Sequence, residues 1–246
     1  MNLSKEILGR VFAFWAIVVF VITMLPVALV MWLIGLIKEP RRTEIFRNIS
    51  RAWISIFFFL IGCRLKIKGK ENFKKSTNYI VICNHNSLMD VPVATPFIPG
   101  ANKTIAKIEM SRIPLFGLIY KRGSILVDRN DKDSRRDSFT SMKNVLAMGM
   151  HMCIYPEGTR NKTEMPIKDF HNGAFKLAVE TGTPILPAIL FNTKQALPPN
   201  KTFFFWPTKI ELHFLQPVHV STLDNYETLK QDMHQLMSSY YVTHQL

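Results

Sequence analysis

From residue 64 onward, apolar runs of strand length alternate with segments of helical period. Residues 79–83, 124–128, 152–155 and 184–191 are nearly continuous apolar stretches. That is the pattern of strands covered on both faces in a parallel sheet. Residues 64–69 (RLKIKG) alternate apolar and basic positions and predict an edge strand with its lysines toward water. Residues 103–107 predict a short strand, and residues 209–215 one of alternating type. Helices are expected from Leu88, around the apolar face of Phe139, Met142, Val145 and Leu146, over residues 172–182 with Gly182 as the stop, and finally along Leu229, Met233, Leu236 and Tyr240. Residues 108–120, interrupted by Pro114 and Gly117, read as an apolar surface segment. The stretch 201–207 (KTFFFWP) has two readings: an interfacial anchor built on Trp206 with Lys201 and Lys209, or a core strand, which is favoured. The whole alternation predicts an α/β fold, a mixed, mainly parallel sheet flanked by helices.

The first quarter of the chain has a different character. Residues 11–37 carry no charged side chain. As a helix they extend about 40 Å, against a bilayer hydrocarbon core of about 30 Å. Pro26 lies near the middle, so the segment is either one tilted, kinked span or two halves of a re-entrant element. Lys5 and Arg10 precede it as in a secretory signal, but the run is too long and no small-residue cleavage site follows. Residues 52–63, rich in aromatics and bracketed by Arg51 and Arg64, are too short to span and suit an interfacial helix. Residues 1–63 are therefore expected to form a membrane-docking helical hairpin, and residues 64–246 the α/β domain.

The formal charge of +13 is concentrated beside that hairpin. Residues 38–75 hold eleven Lys and Arg against three acids, and residues 103–136 nine against four; the remainder is neutral. Basic residues flanking a lipid-embedded segment favour an anionic bilayer surface over nucleic acid as the partner. Cys63, Cys83 and Cys153 have neither metal-ligand spacing nor the even count of a disulfide framework, which fits a reducing compartment. The expected location is the cell (inner) membrane, with the catalytic part on the cytoplasmic side.

Candidate chemistry gathers where the apolar runs end. The first ends in Asn84, His85, Asn86, Ser87 and Asp90; the second in Asp128 and Arg129; the third in Glu157 and Arg160. Ligand crevices in open α/β sheets lie outside the carboxyl ends of the strands. His85 and Asp90 are five apart, so the chain must turn between them; with Ser87 capping a helix from Leu88, Asp90 can point back at the imidazole. A carboxylate on one ring nitrogen leaves the other free to take a proton from a hydroxyl. The competing reading is a solvated histidine near a helix start. Arginines beside such a base would hold a phosphate, so the acceptor expected is a phosphorylated alcohol. Cys83 falls on the same extended face as His85, which makes an acyl-cysteine conceivable, but a buried small hydrophobe is the commoner role. His151, His171, His213, His219, His234 and His244 share no spacing.

These residues carry a resemblance to the glycerolipid acyltransferase family, nearest its bacterial 1-acylglycerol-3-phosphate acyltransferases. Its His-x4-Asp block preceded by Asn matches Asn84, His85 and Asp90; its Gly-x-Ile-Phe-Ile-Asp-Arg block matches residues 123–129 (GSILVDR), with Leu126 and Val127 departing. Its Phe-Pro-Glu-Gly-Thr-Arg-Ser block matches residues 155–161 (YPEGTRN), with Tyr155 and Asn161 departing, and its proline-containing strand matches residues 184–190 (PILPAIL). The resemblance runs over residues 65–217 and implies a glycerol-3-phosphate acyltransferase-like fold. It implies that His85, oriented by Asp90, deprotonates the sn-2 hydroxyl of lysophosphatidic acid. That oxygen then attacks an acyl thioester, on acyl carrier protein or coenzyme A, to give phosphatidic acid. It also implies glycerophosphate binding by Glu157, Gly158, Thr159 and Arg160, with Arg129 and Lys107 in support. No metal and no bound cofactor is expected, the acyl carrier being a co-substrate. A related acyltransferase using glycerol 3-phosphate or another lysolipid is the alternative. A non-catalytic membrane scaffold would explain the hairpin but not the four polar blocks.

Overall fold

The computed structural model describes residues 3–245. In chain order its elements are α1 (Leu3–Leu33), α2 (Arg41–Leu60), β1 (Arg64–Lys68), β2 (Ile80–Cys83), α3 (Asp90–Ala94), β3 (Asn102–Lys107), α4 (Phe116–Gly123), β4 (Ser124–Val127), α5 (Lys132–Ala147), β5 (His151–Ile154), α6 (Gly173–Thr181), β6 (Ile185–Phe191), α7 (Thr193–Ala196), β7 (Lys209–Phe214) and α8 (Tyr226–His244), with short 3₁₀ turns between some of them.

The strands form a seven-stranded sheet in the order β1-β7-β6-β2-β5-β3-β4. Neighbours from β6 to β4 run parallel, whereas β7 is antiparallel to β6 and carries β1 parallel to itself. The expected mixed, mainly parallel sheet is present. The central strands β2, β5 and β6 are buried at every position, because helices cover both faces. β1 lies at one edge and shows the predicted alternation of exposed basic and half-buried apolar residues. β4, at the other edge, is half-buried at three of its four positions rather than enclosed.

α1 is a single helix through Pro26, long and apolar enough to cross a membrane. Two tryptophans join it to α2: Trp15 Nε1 donates to the Leu60 carbonyl at 2.9 Å and Trp53 Nε1 to Thr23 Oγ1 at 2.9 Å. α2 begins at Arg41, well before the apolar stretch, since its first half packs Thr43 and Ser50 inward. Buried residues of this hairpin such as Met31, Trp53 and Phe58 form one continuous apolar cluster with Val81, Leu186 and Leu212 of the sheet. Its opposite side leaves Phe14, Trp15, Ile22, Trp32 and Phe59 exposed.

Four expectations need correction. Residues 116–123 form a helix, α4, because Gly117 does not break the segment: it lets the backbone come against the Ser111 carbonyl, where a Cβ would lie 2.2 Å from the oxygen. The buried face of α8 is Leu229, Met233, Met237 and Tyr241, a strict i, i+4 line, and Leu236 is exposed. The helix after His85 starts at Asp90, not Leu88. Residues 201–207 are neither a strand nor an exposed anchor. They clasp the start of α1: Phe204 and Phe205 are buried, the Phe205 N–H donates to the Gly9 carbonyl at 3.0 Å, and Trp206 meets Phe12 edge-on at 5.7 Å.

Candidate active site

Sheet order decides which polar clusters meet. β2, β5, β3 and β4 are consecutive neighbours and parallel, so their carboxyl ends lie along one edge at about 4.8 Å per step. His85, the loop after β5, Lys107 and Arg129 all follow from that edge.

His85 Nδ1 lies 2.8 Å from Asp90 Oδ2. The same oxygen accepts the backbone N–H groups of Asn86 at 2.5 Å and Ser87 at 2.7 Å. The expected orientation of imidazole by carboxylate is therefore present, by a different route. Ser87 does cap the turn, its Oγ accepting the Met89 N–H at 3.3 Å and donating to the Leu197 carbonyl at 2.8 Å, while Asp90 folds that turn around its own carboxylate and the regular helix begins only at Asp90. Asp90 is wholly buried, while the His85 side chain keeps 19% exposure. With its proton on Nδ1, directed at Asp90, the ring offers the Nε2 lone pair. Asn84 anchors the turn from behind, its amide bonding both main-chain groups of Leu190 on β6 at 2.7 and 3.0 Å.

Glu157 ties this turn to the loop after β5. Its Oε1 accepts the His85 N–H at 2.6 Å and its Oε2 the Lys168 N–H at 3.0 Å. Burial pushes its carboxyl up to about 7, against the pull of those two amides. Both oxygens are thus engaged by the main chain, so Glu157 shapes the site and presents no face to a ligand. Asn161 adds a second tie, its N–H donating to the His85 carbonyl at 2.6 Å. Gly158 has φ +70°, and a Cβ there would sit 2.6 Å from the His171 ring, so the loop accepts glycine on two counts.

Of the cations, Arg129 is exposed and its Nη1 donates to the Gly158 carbonyl. Arg160 is half-exposed and, among the described residues, makes no hydrogen bond or ion pair. Lys107 is exposed at the end of β3, on the same edge, where it pairs with Val127 two residues before Arg129. Thr159 Oγ1 accepts from Lys168 Nζ at 2.8 Å. Lys168 escaped sequence reasoning because its place is set by the return of a long loop, closed where the His171 N–H donates to the Pro156 carbonyl at 2.8 Å.

Tyr155 packs its ring on His85, centroids 4.6 Å apart, and its buried hydroxyl has no hydrogen-bond partner among the described residues. Cys83 and Cys153 place their sulfurs 3.9 Å apart. That contact, together with complete burial, pushes the Cys83 thiol well above its usual range, the opposite of an activated nucleophile. A base with no protein nucleophile beside it, bordered by arginine and lysine, can deprotonate a hydroxyl on a phosphorylated acceptor.

A family model described as Acyltransferase matches residues 64–190. The chain is 32% identical over 183 residues to the 1-acyl-sn-glycerol-3-phosphate acyltransferase of Borreliella burgdorferi, covering 72% of this chain and 70% of that protein. It is 25% identical over 195 residues to the Haemophilus influenzae protein of the same name, covering 77% and 79%. To the Saccharomyces cerevisiae protein of that name it is 28% identical, covering 71% of this chain but 58% of the yeast protein. The crystal structure of the 1-acyl-sn-glycerophosphate (LPA) acyltransferase PlsC from Thermotoga maritima superimposes with a TM-score of 0.81 over 97% of both chains at 22% identity, a likeness of fold.

Proposed function

The chain belongs to the acyltransferase family, and from that premise we propose that it transfers a fatty acyl group from an acyl thioester to the sn-2 hydroxyl of 1-acylglycerol 3-phosphate, giving phosphatidic acid. The observation that carries the chemistry is the His85–Asp90 pair, 2.8 Å apart, at the end of a strand whose neighbours deliver the cations. The names borne by the Borreliella and Haemophilus relatives support the acceptor.

In this mechanism His85 Nε2 takes the hydroxyl proton as the oxygen attacks the thioester carbonyl carbon. Asp90 stabilises the imidazolium that forms. The tetrahedral adduct collapses by breaking the C–S bond, and the imidazolium returns its proton to the departing sulfur. Arg160 and Arg129 hold the acceptor phosphate, Arg160 with its guanidinium free for a bidentate contact, while Lys107, Thr159 and Gly158 border the same space. Glu157 acts through the main chain of His85. The exposed apolar side of the hairpin seats the enzyme on the cytoplasmic face of the cell membrane, where the basic residues after α1 meet anionic lipid. The donor is acyl carrier protein or coenzyme A thioester.

The test is turnover by the purified full chain of 1-acylglycerol 3-phosphate and of glycerol 3-phosphate, each with acyl-carrier protein and with acyl-coenzyme A. Phosphatidic acid formation with at least one donor is expected. Exclusive use of glycerol 3-phosphate, or no acyl transfer at all, overturns the assignment.

A further inference from the structure

The edge of the sheet opposite His85 carries a second group of cations. Asn102 at the start of β3 pairs with His151 at the start of β5, and the Tyr79 N–H, just before β2, donates to His151 Nδ1 at 3.0 Å. Arg47 and Arg51 of α2 reach this edge. Arg47 Nη1 donates to the Ile98 carbonyl at 3.3 Å and Nη2 to Asn48 Oδ1 at 2.7 Å, while its Nε is buried without a partner among the described residues. The Arg51 guanidinium sits 5.9 Å from the centre of the Phe97 ring. Lys70 lies on the turn after β1 that packs Phe73 edge-on against Tyr79 and His151 at this same edge, centroids 5.6 and 5.5 Å apart, and burial followed by the fields of Arg51 and Arg47 holds its ammonium below the usual lysine range. Glu44 is close enough to be felt by Arg47, yet among the described residues none of the three cations forms an ion pair. Like charges gathered with an unsatisfied buried donor are unfavourable unless an anion joins them.

The same face of α2 turns apolar one helical step later. Ser55, Phe58 and Phe59 follow Arg47 and Arg51 at helical spacing, and with Leu65, Ile67 and Phe97 they line a groove of about 240 Å³. Phe97 belongs to both parts, as groove wall and as the platform under Arg51. The surface therefore runs from cationic to apolar beside a hairpin that exposes large hydrophobic side chains.

We propose that Arg47, Arg51 and Lys70 bind the phosphate of one anionic phospholipid, with one of its acyl chains lying along the α2–β1 groove. Guanidinium forks match phosphate oxygens, and the cations gathered at this end of the groove repel the quaternary ammonium of a choline head. This site is separate from the catalytic one, which lies beyond the far end of β2. Free inorganic phosphate shares the headgroup chemistry but leaves the groove unused.

The experiment uses the full chain in detergent micelles with phosphatidylglycerol and phosphatidylcholine analogues carrying a diazirine in one acyl chain, the labelled peptides being mapped by mass spectrometry. The phosphatidylglycerol analogue is expected to label residues 55–67 and the peptide of Phe97 about tenfold more than the phosphatidylcholine analogue, the weight of one charge-assisted contact. R51A/K70A brings the two analogues level, and S55W, which fills the groove without altering its charge, removes the label. Turnover of R51A/K70A stays at the wild-type value in detergent. Equal labelling of the wild-type protein by the two analogues overturns the proposal without recourse to any variant. So does undiminished labelling in S55W, or full displacement by millimolar inorganic phosphate.

Discussion

The backbone N–H of His85 donates to Glu157 Oε1 at 2.6 Å, which joins the loop bearing the base to the loop bearing Arg160. Because the other Glu157 oxygen accepts from Lys168, one buried carboxylate holds three stretches of chain in register. Its protonation therefore couples to the stability of the whole site.

The Glu157 carboxyl is raised from 4.5 to about 7, chiefly by burial. A group whose folded-state pKa is raised stabilises fully below its unfolded pKa and loses that contribution as pH rises through the folded value. Stability is thus expected to fall between about pH 4.5 and pH 7, by on the order of a few kcal/mol, and to level off above. Thermal melts across that range should show the slope in wild type and not in E157Q. A slope that persists in E157Q would place the titrating group elsewhere.

H85A is expected to fold as wild type and to lose turnover by at least about 10²–10⁴-fold, the usual weight of a general base. D90N should lose comparable activity and also stability, since Asp90 Oδ2 accepts from three donors within its own turn. Paired melts and initial rates separate the two effects, and near-wild-type rates in H85A would remove the histidine from the mechanism.

R160A is expected to lower kcat/KM for the phosphorylated acceptor about 10- to 100-fold, corresponding to about 1.5–3 kcal/mol for a charge-assisted contact, with R160K recovering only part. The loss should disappear when acceptors without a phosphate are compared. Equal losses for both acceptor types would make Arg160 structural.

Y155F removes a buried hydroxyl that has no partner among the described residues and keeps the ring against His85. Activity should be retained and the stability to unfolding unchanged or higher, by up to about 1 kcal/mol, since an unsatisfied buried donor is relieved. A clear loss of rate would show that the hydroxyl takes part in the reaction.

F204A should destabilise the protein by about 3 kcal/mol and free the start of α1, as the ring fills the space over Gly9. Limited proteolysis near residue 9 provides the readout. Unchanged protection there would mean that Phe205 and Trp206 hold the helix unaided.

Much of the fold was legible because strands buried on both faces cannot afford polar residues. The apolar runs at 79–83, 152–155 and 184–191 fall on β2, β5 and β6, and Gly182 ends α6 as expected. Where the pattern misled, a tertiary partner overrode it. Gly117 stands inside α4 because the backbone of Ser111 comes close, and Phe204 and Phe205 of the aromatic loop are buried against α1, which lies almost two hundred residues earlier in the chain.

The polar clusters at the strand ends were visible as residue types and spacings, and the sequence alone determined them together with the apolar hairpin, because local order and hydropathy are properties of neighbouring residues. Strand order was decided only in three dimensions. Setting β2, β5, β3 and β4 side by side brings Arg129 to Gly158 and Glu157 to the His85 amide, and returns Lys168 to Thr159 across a loop. Such contacts follow from pairing between distant segments, where the free energy depends on which faces are buried together and not on the pattern within any one of them.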